Sequence, residues 1–533
     1  MKEDSMRDFH FPGRSTVHAQ NAMVATSHPL ATEAALRVLR DGGNAIDAAI
    51  CGAAVMAVVE PQMTGIGGDC FALYCPKGSA DVITFNGSGR APAAASIERL
   101  RAEGLRRIAE DSVHAVTLPG ALEGWGRLHA DHGRMEFARL LAPAINYARN
   151  GYPVHARVRH DWLRAHSHLA ARDATRALFL PGGQVPSEGD IHRQERLADT
   201  LETIAQNGVT AFYNGPLAAA MVRTLRAQGG LHTEEDFHAV RGDYVTSAKT
   251  RYRNVDVHQV PPNNQGVTAL MMLNMLEGFD LAALDPMSAE RLHLEIEVGR
   301  LAFAMRDRHI ADPSSMEVAL ETLLSKDEAA RLRARISPDR AMQDIGSLDL
   351  STSETVYMTV VDRDLNTVSF INSIFDSFGS GILCPDTGVL FQNRGNSFTL
   401  EPGHPNALAP SKRPMHTIMP GMVTEGDRVR MAFGVMGGDY QPFGHARIVS
   451  NIFDYGLSVQ AAIDMPRVFG TGAEVEVERS VPSEVLLGLA DRGHGLRLAD
   501  VPLGGCQAIC IDHDRGILSG GSDARKDGHA AGF

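Results

Sequence analysis

A hydroxyl and a glycine pair in the sequence are of the types that acyl-transfer chemistry needs. Thr355 opens a β-rich run near two thirds of the chain length, and Gly437-Gly438 directly follows the apolar run Met431 to Val435. A threonine hydroxyl is a poor nucleophile at neutral pH and needs a base within hydrogen-bonding reach. Taken alone, Thr355 would be interpreted as an ordinary strand residue, because threonine favours strands. Its assignment as a nucleophile therefore depends on the surrounding motif.

The glycine pair could serve the same chemistry from the backbone. An acyl-transfer intermediate needs N–H donors aimed at its developing oxyanion. Neither Gly437 nor Gly438 has a Cβ atom, so this backbone can approach a substrate closely. A glycine pair after a strand is equally typical of a plain turn, and the residues alone leave both interpretations open.

Other chemistries find little support in the sequence. His166 and His168 form only a weak metal pattern, because no third ligand follows nearby, and neither a metal nor another cofactor is predicted. The six cysteines contain no Cys-x-x-Cys pair, which argues against a disulfide framework or a zinc site. The net charge of -13 argues against a nucleic-acid partner, because phosphate binding needs a basic surface.

Length and composition predict a soluble enzyme-sized protein. The chain has 533 residues, of which 44% are hydrophobic and 22% charged, which suits a globular fold with a large core. No run approaches the roughly 18 apolar residues of a membrane helix, so no membrane partner is predicted. Residues Met1 to Val24 contain no apolar segment of the kind that secretory signals carry, which predicts a cytoplasmic protein.

Predicted strands at both ends of the chain flank a mainly helical middle, an order that predicts a layered α+β fold. Ala45 to Val59 is nearly uncharged and predicts a buried helix, and residues 95–345 are predicted to be mainly helical. After about residue 350 the pattern becomes β-rich, and strands at both ends of the chain suggest a sheet built from distant segments. The predicted helices are Leu140 to Asn150, Leu197 to Asn207, Leu217 to Gln228, Ala289 to Arg308, 444–455 and 459–465. The predicted strands are Thr355 to Asp362, Thr367 to Ile374, Val389 to Gln392, Thr417 to Val423 and Arg428 to Val435.

At this point the residues resemble the γ-glutamyltransferase family, a branch of the N-terminal-nucleophile hydrolases. Each matching segment is weak alone, but their common order from about Gly13 to Phe533 is specific. The segments are Gly42-Gly43-Asn44-Ala45-Ile46-Asp47-Ala48-Ala49, Gly65-Ile66-Gly67-Gly68, Arg90-Ala91-Pro92, Pro119-Gly120, Pro143-Ala144-Ile145, Phe212-Tyr213-Asn214-Gly215, Pro261-Pro262, Gly437-Gly438 and Ser522-Asp523-Ala524-Arg525. The run Thr355-Val356-Tyr357-Met358-Thr359-Val360-Val361-Asp362 resembles the segment at which the family's precursors are cleaved.

The resemblance implies a four-layer αββα sandwich in which two sheets pack face to face between helical layers. It also implies a precursor cut between Glu354 and Thr355, giving a large subunit (1–354) and a small catalytic subunit (355–533) that together form one unit. Dividing 57.4 kDa in proportion to residue number predicts fragments of about 38 and 19 kDa. A higher oligomer of this pair is a further possibility.

The family's chemistry explains why one residue can supply both nucleophile and base. Cleavage before Thr355 frees an α-amino group whose ordinary pKa of about 7.7–8.0 leaves it partly unprotonated near neutrality. The resemblance places the oxyanion donors on Gly437 and Gly438. It also makes Thr359 and Ser373 candidates to hydrogen-bond the nucleophile and its amine, although either could be a plain strand residue.

The departures from the family fall on substrate recognition. Members specific for γ-glutamyl groups have an aspartate where Ser397 stands, a Gln or Glu at Arg394, an asparagine at Phe375 and a Ser-Ser pair at His416-Thr417. A cation at residue 394 would repel the ammonium group of a γ-glutamyl donor. Arg90 is the nearest counterpart of the family's carboxylate-binding arginine, although that arginine stands two residues further from the Ala-Pro.

These changes are similar to the subgroup that includes oxamate amidohydrolase. They predict an amidohydrolase that cleaves a small, carboxylate-bearing amide through a threonyl ester. Arg90 and Arg394 are the predicted carboxylate-binding residues, and Ser397 and His416 are further candidates to contact the substrate. The alternatives are a γ-glutamyl transferase or glutathione hydrolase, a β-lactam side-chain acylase, and a relative that never matures and acts only as a binding protein.

Overall fold

Two seven-stranded antiparallel sheets form the centre of the structure, a computed structural model that describes residues 13–343 and 355–533. The strands are β1 Val17–Ala19, β2 Met23–Thr26, β3 Asp69–Cys75, β4 Ile83–Gly87, β5 Tyr152–Pro153, β6 Ile191–His192, β7 Asp243–Val245, β8 Ala248–Tyr252, β9 Val255–Gln259, β10 Val356–Val361, β11 Thr367–Ser373, β12 Gly421–Glu425, β13 Arg428–Met436, β14 Val468–Phe469, β15 Glu474–Val477, β16 Gly495–Leu498, β17 Gly505–Asp512, β18 Ile517–Ser522 and β19 His529–Gly532.

Helices cover both outer faces of this pair of sheets. The α-helices are α1 Pro29–Arg40, α2 Ala45–Val59, α3 Ile97–Ala102, α4 Ala121–His132, α5 Phe137–Asn150, α6 Ala156–Arg164, α7 His166–Ala170, α8 Asp173–Phe179, α9 Glu195–Asn207, α10 Thr210–Tyr213, α11 Pro216–Ala227, α12 Glu234–His238, α13 Gly266–Leu276, α14 Ala289–His309, α15 Leu320–Leu323, α16 Lys326–Arg333, α17 Gln441–Phe453, α18 Val459–Asp464 and α19 Ser483–Asp491. The short 3₁₀ helices are Pro76–Gly78, Val113–Ala115, Pro181–Gly183, Leu281–Ala283, Pro313–Ser315, Arg394–Ser397 and Gly438–Tyr440.

The four layers confirm the αββα sandwich that the sequence predicted. One sheet has the order β1-β18-β17-β13-β12-β9-β8, and the other has the order β19-β2-β10-β11-β3-β4-β7. Apolar side chains from both sheets form a core between them. A second core lies between the β10 sheet and α1, α2, α4 and α5, and a third lies between the β13 sheet and α13, α14 and α17. Both sheets combine strands from before and after residue 355.

The predicted buried helix, α2, shows how the local sequence fixes one of these layers. Asn44 accepts a hydrogen bond from the backbone N–H of Asp47, and the Asp47 carboxylate accepts one from the backbone N–H of Asn44. This reciprocal cap starts the helix at Ala45 after the Gly42-Gly43 break. Every residue of α2 is buried, as a helix that is apolar on all sides requires.

Several predicted boundaries need correction. Val389 to Gln392 is not a strand, because only isolated bridges join Leu390 to Leu383 and Phe391 to Gly67. The strand predicted to begin at Thr417 begins at Gly421, and β5 to β9 interrupt the region that was predicted to be mainly helical. The other predicted helices and strands are present, with ends shifted by a few residues. Among the described residues, no helix has both the length and the apolar character to cross a membrane.

A buried carboxyl at the end of α2 should make the stability of the protein depend on pH. Glu60 caps this helix and lies fully within the protein, near Lys526, Asp527 and Asp161, and its carboxyl contacts the Ser27 hydroxyl. Burial raises the pKa of Glu60 to about 8. The native state therefore holds one proton more than the unfolded chain between the ordinary glutamate pKa and pH 8, so the free energy of unfolding falls as pH rises through this window.

We expect Glu60→Gln to remove this dependence. Glutamine imitates the neutral carboxyl, so the variant and the wild type should be similarly stable near pH 5. By pH 8 the variant should be more stable, by at most about 4 kcal/mol. Denaturant unfolding between pH 5 and pH 8 measures the difference, with the exposed Glu33→Gln as the matched control. Parallel stability curves for Glu60→Gln and Glu33→Gln would contradict the assignment.

Candidate active site

The hydroxyl of Thr355 lies at the start of β10, an interior strand of one sheet. β10 pairs with β2 on one side and β11 on the other, with Val356 opposite Asn372, so Thr355 stands beside Ser373. Thr355 is fully buried, and its Oγ1 lies 3.4 Å from the Oγ of Ser373. Ser373 Oγ also accepts the N–H of Phe375 at 2.8 Å, which orients this hydroxyl beside Thr355. The structure thus brings Thr355 and Ser373 together.

Thr359 lies further along the same strand. It is paired with Ser369 on β11 and Ala25 on β2, and it is four residues from Thr355. At about 3.3 Å per residue, the two threonines are roughly 13 Å apart. Thr359 is therefore outside hydrogen-bonding reach of Thr355 in this structure, although both face the same side of the sheet. Glu354, the predicted residue before the cleaved bond, lies outside the described residues.

Gly437 and Gly438 form the turn between β13 and the 3₁₀ helix Gly438–Tyr440. Their φ angles are 112° and 54°, and the first of these is a conformation that residues with a Cβ atom rarely adopt. A Cβ atom on Gly437 would lie 2.8 Å from the Cα of Gly504. Among the described residues, no acceptor takes the backbone N–H of Gly437 or Gly438. Two backbone N–H groups without partners on one tight turn are of the kind that stabilises an oxyanion.

A hydrogen-bond network fixes the position of this glycine pair. Gln265 donates from Nε2 to the carbonyl of Gly438 at 3.1 Å and to the carbonyl of Thr417 at 2.7 Å. Arg306 donates to the Oε1 of Gln265 at 2.7 Å and also binds the carboxylate of Asp439. A preorganised donor pair costs no reorganisation when charge develops on the substrate, so this network serves the chemistry indirectly.

We expect Gly437→Ala to lower kcat by about 10²–10³-fold with little change in KM, because the methyl group must displace the backbone that carries an oxyanion donor. Steady-state kinetics on the mature enzyme measure both constants. Gly426 has a φ of 60° in the exposed turn between β12 and β13, and a Cβ atom there would meet nothing within 4 Å. Gly426→Ala is therefore a control for backbone strain alone. Wild-type kcat in Gly437→Ala would contradict this role.

Arg394 is a fully buried cation that packs on Phe375, whose N–H binds the Ser373 hydroxyl. Its guanidinium carbon lies 3.6 Å from the centre of the Phe375 ring, and its Nη1 donates to Thr417 Oγ1 at 3.0 Å. Phe375 has a φ of 79°, which is unusual for an aromatic residue. Arg394 Nε and Nη2 have no hydrogen-bond partner among the described residues. A buried guanidinium with two open donors is suited to bind a carboxylate.

Nearby carboxylates partly offset the effect of burial on the pKa of Arg394. Burial lowers the pKa of this guanidinium to about 9, and the carboxylates of Asp69, Asp376 and Asp439 oppose that shift. Arg394 therefore remains cationic near neutral pH. Arg394 and the glycine pair share an anchor, because Gln265 holds the backbone of both Thr417 and Gly438. One glutamine side chain thus links the segment that contacts the buried guanidinium to the turn that carries the glycine pair.

His416 supports the site from within the protein. Its Nε2 lies 3.1 Å from the Oδ2 of Asp69, and its Nδ1 accepts the N–H of Ile418 at 3.4 Å. Burial, with the nearby charge of Arg394, lowers the pKa of His416 to about 3. The ring is neutral and both of its nitrogens already have partners. His416 therefore binds Asp69, whose charge acts on Arg394, and is not open to a substrate.

Arg90 lies apart from the buried cation. Its side chain is 41% exposed and faces the carboxylates of Asp243 at 3.7 Å and Asp312 at 3.9 Å. It also donates to the carbonyl of Ser411 at 3.2 Å. None of these contacts reaches Thr355 or Arg394. Arg90 would have to leave two carboxylates to bind a substrate, so the structure does not bring the two predicted carboxylate-binding residues together.

The remaining candidate is Ser397, in the same 3₁₀ helix as Arg394, and Asp376 is a nearby acidic residue that the sequence did not single out. Ser397 is half-buried, and its carbonyl accepts from Asn406 at 2.6 Å. Asp376 directly follows Phe375, and its Oδ2 accepts from Asn393 at 2.8 Å. Burial raises the pKa of Asp376 to about 6. The signal for Asp376 was an acidic residue next to a position that the motif comparison had already marked.

Comparisons with known proteins agree over nearly the whole chain. A family profile described as Gamma-glutamyltranspeptidase matches residues 31–533. The glutathione hydrolase-like YwrD proenzyme of Bacillus subtilis is 38% identical, over 96% of this chain and 98% of that protein. The oxamate amidohydrolase proenzyme of Klebsiella pneumoniae is 35% identical, over 97% of this chain and 100% of that protein. The crystal structure of cephalosporin acylase from Bacillus halodurans aligns with a TM-score of 0.93, at 38% identity and over 99% of both chains.

Proposed function

Because this chain belongs to the gamma-glutamyltranspeptidase family of N-terminal-nucleophile amide hydrolases, we propose that it cleaves the amide of a small, carboxylate-bearing substrate such as oxamate. The observation that carries this proposal is the buried guanidinium of Arg394, whose Nε and Nη2 have no partner among the described residues. The similarity to a protein named oxamate amidohydrolase proenzyme supports the same substrate class.

The first step of the proposed mechanism is maturation. The Oγ1 of Thr355 attacks the carbonyl carbon of residue 354, the peptide bond breaks, and the chain before it is transferred to the hydroxyl as an ester. Water then hydrolyses the ester, which gives a carboxylate on residue 354 and a free α-amino group on Thr355. Ser373, whose Oγ lies 3.4 Å from the attacking oxygen, is placed to hydrogen-bond it during this step. The large subunit 1–354 and the small subunit 355–533 would stay together, because both sheets combine their strands.

The mature residue would then act on the substrate. The free amine of Thr355 takes the proton of its own hydroxyl, and the oxygen attacks the substrate amide. The N–H groups of Gly437 and Gly438 stabilise the oxyanion, and the amine returns the proton to the leaving nitrogen. For oxamate this releases ammonia and leaves an oxalyl ester on Thr355. Water hydrolyses that ester to oxalate and restores the enzyme.

Arg394 would orient the substrate in this mechanism. A carboxylate can accept two parallel hydrogen bonds from the unpartnered Nε and Nη2 of Arg394. These bonds would replace the hydrogen bonds to water that burial removed. In a small substrate the carboxylate and the amide carbon are neighbours, so binding one positions the other against Thr355. A γ-glutamyl donor carries an α-ammonium group next to its α-carboxylate, and Arg394 would repel that ammonium group.

The test of this proposal is a substrate panel on the mature enzyme. We expect ammonia release from oxamate to exceed chromophore release from a γ-glutamyl anilide by about 10²-fold or more in kcat/KM, because an unpaired charge in the site is costly. A cephalosporin with a carboxylate-bearing side chain tests the acylase alternative. It is included because the chain is similar to the cephalosporin acylase of Bacillus halodurans. A preference for the γ-glutamyl anilide, or for the cephalosporin, over oxamate would overturn the proposed substrate.

A further inference from the structure

Two histidines and a glutamate meet in a buried cluster away from the active site. His293 and Glu297 lie one turn apart on α14, so their side chains share a face of that helix. His494 comes from the turn that follows α19, which packs against α14. All three residues are buried, and one nitrogen or oxygen atom of each lies within 4.8 Å of the corresponding atoms of the other two. The sequence offered only His166 and His168 as a histidine pattern.

Hydrogen bonds fix which nitrogen of His293 carries a proton. Its Nε2 lies 2.7 Å from the carbonyl oxygen of Ser337. A carbonyl only accepts, so Nε2 must be the protonated nitrogen, and the lone pair on Nδ1 faces His494 Nε2 at 2.8 Å. A histidine that binds a metal generally donates its second N–H to a carbonyl or carboxylate in this way.

Glu297 supplies the negative charge of the cluster. Its Oε1 accepts from Arg300 at 2.7 Å, and its Oε2 accepts from the backbone N–H of Met342 at 2.8 Å. Arg300 also donates to the carbonyl of Gly472, and Arg492, the other nearby cation, binds the carboxylate of Glu290. Both guanidinium groups therefore have acceptors of their own, and Glu297 retains lone pairs for a further ligand.

We propose that His293 Nδ1, His494 Nε2 and a carboxylate oxygen of Glu297 bind a Zn²⁺ ion. Two imidazoles and a carboxylate are a donor set that zinc accepts, with a water molecule as the fourth ligand. Tetrahedral bonds of about 2.0–2.1 Å place neighbouring ligand atoms roughly 3.3 Å apart. The two histidine nitrogens would have to separate by only about half an ångström for the ion to replace the hydrogen between them.

The position of this site gives the ion a structural role. Two of the proposed ligands also bind the backbone of a segment that precedes Thr355 in the sequence. His293 donates to the carbonyl of Ser337, and Glu297 accepts from the N–H of Met342. The backbone of Ala341 also donates to the carbonyl of Arg492 at 2.7 Å, two residues before His494. Zinc would hold the last described residues before position 344, near the end of the proposed large subunit. This site is independent of the substrate that Arg394 selects.

Metal analysis of the full-length protein tests the proposal. Untagged protein is treated with a chelator, dialysed and titrated with Co²⁺, whose visible absorption reports four-coordinate nitrogen and oxygen ligands, and then with Zn²⁺, which should displace it. We expect one equivalent of metal in the wild type and loss of binding in His494→Gln and Glu297→Gln. His155→Gln is the matched control, since His155 also lies beside another histidine, with its ring centre 4.2 Å from that of His28.

Thermal unfolding provides a second measurement, whose wild-type result does not depend on any variant. We expect Zn²⁺ to raise the Tm of chelator-treated wild type and of His155→Gln, because an ion that binds only the folded state stabilises it. The Tm of His494→Gln should not change. Wild type that binds less than stoichiometric metal and shows no rise in Tm would overturn the proposal. So would full binding in both His494→Gln and Glu297→Gln.

Discussion

Thr355→Ala should leave the protein as a single chain of 57.4 kDa, with neither the fragment of about 38 kDa nor the one of about 19 kDa. Alanine removes the only oxygen that could attack the preceding carbonyl from this position, so the proposed ester cannot form. Without the cut there is also no free amine to act as base. A denaturing gel followed over days, with N-terminal sequencing of any small fragment, measures this outcome.

The same substitution should abolish turnover. Removing a catalytic nucleophile commonly costs on the order of 10⁴–10⁶-fold in rate. Thr355→Ser keeps a hydroxyl and should retain both processing and activity at reduced rates. Thr84→Ala is the matched control, because Thr84 is another buried threonine of the same sheet, on β4. Processing or amide hydrolysis by Thr355→Ala would remove the basis of the proposed mechanism, and an uncut wild type would favour a binding protein.

The sequence predicted the layers of this fold better than it predicted their connections. A helix with a single charged residue, such as α2, and a strand such as β10, whose six residues are all buried, can be recognised from their composition. The pairing of β1 with β18 and of β2 with β19 joins residues that are about 500 positions apart. Periodicity is a local property and carries no information about such pairs. The αββα order therefore came from the family resemblance.

The candidate site was predictable where it follows the backbone and less so where it depends on side-chain packing. Thr355 and Ser373 meet because β10 and β11 form a hairpin with a fixed register. By contrast, the ring of His416 contacts Asp69, and the side chain of Arg90 contacts the carboxylates of Asp243 and Asp312. These choices depend on neighbours from distant segments. A motif marks a position in the chain, but it does not specify the contacts that the side chain makes there.

Arg394→Met should separate recognition from stability. Methionine fills much of the same space without charge, so a carboxylate substrate loses a charge-assisted pair of hydrogen bonds. Truncating a buried charged partner typically costs about 2–5 kcal/mol, so kcat/KM for oxamate should fall by roughly 30- to 5,000-fold. The loss should be much smaller for an amide that lacks a carboxylate. Arg90→Ala should have the weaker effect on oxamate, because Arg90 is occupied by Asp243 and Asp312.

Stability should respond in the opposite direction. Arg394 is buried with two N–H groups unpartnered among the described residues, and an incompletely paired buried charge costs free energy in the folded state. We therefore expect the Tm of Arg394→Met to equal or exceed that of the wild type. Arg447 is a matched control, since it is as deeply buried but donates to the carboxylate of Glu295 and the carbonyl of Pro466. Arg447→Met leaves Glu295 with less compensation and should lower the free energy of unfolding by about 3–5 kcal/mol.

The two arginine variants together distinguish a binding residue from a structural one. Replacing a residue that serves only in packing would lower stability and activity in parallel, because a destabilised chain loses part of its active population. Replacing a residue that binds the substrate should lower kcat/KM while the chain remains folded. Saturating oxamate should also raise the Tm of the wild type more than that of Arg394→Met. If Arg394→Met unfolded as readily as Arg447→Met, or hydrolysed oxamate at the wild-type rate, the open donors of Arg394 would not be the carboxylate site.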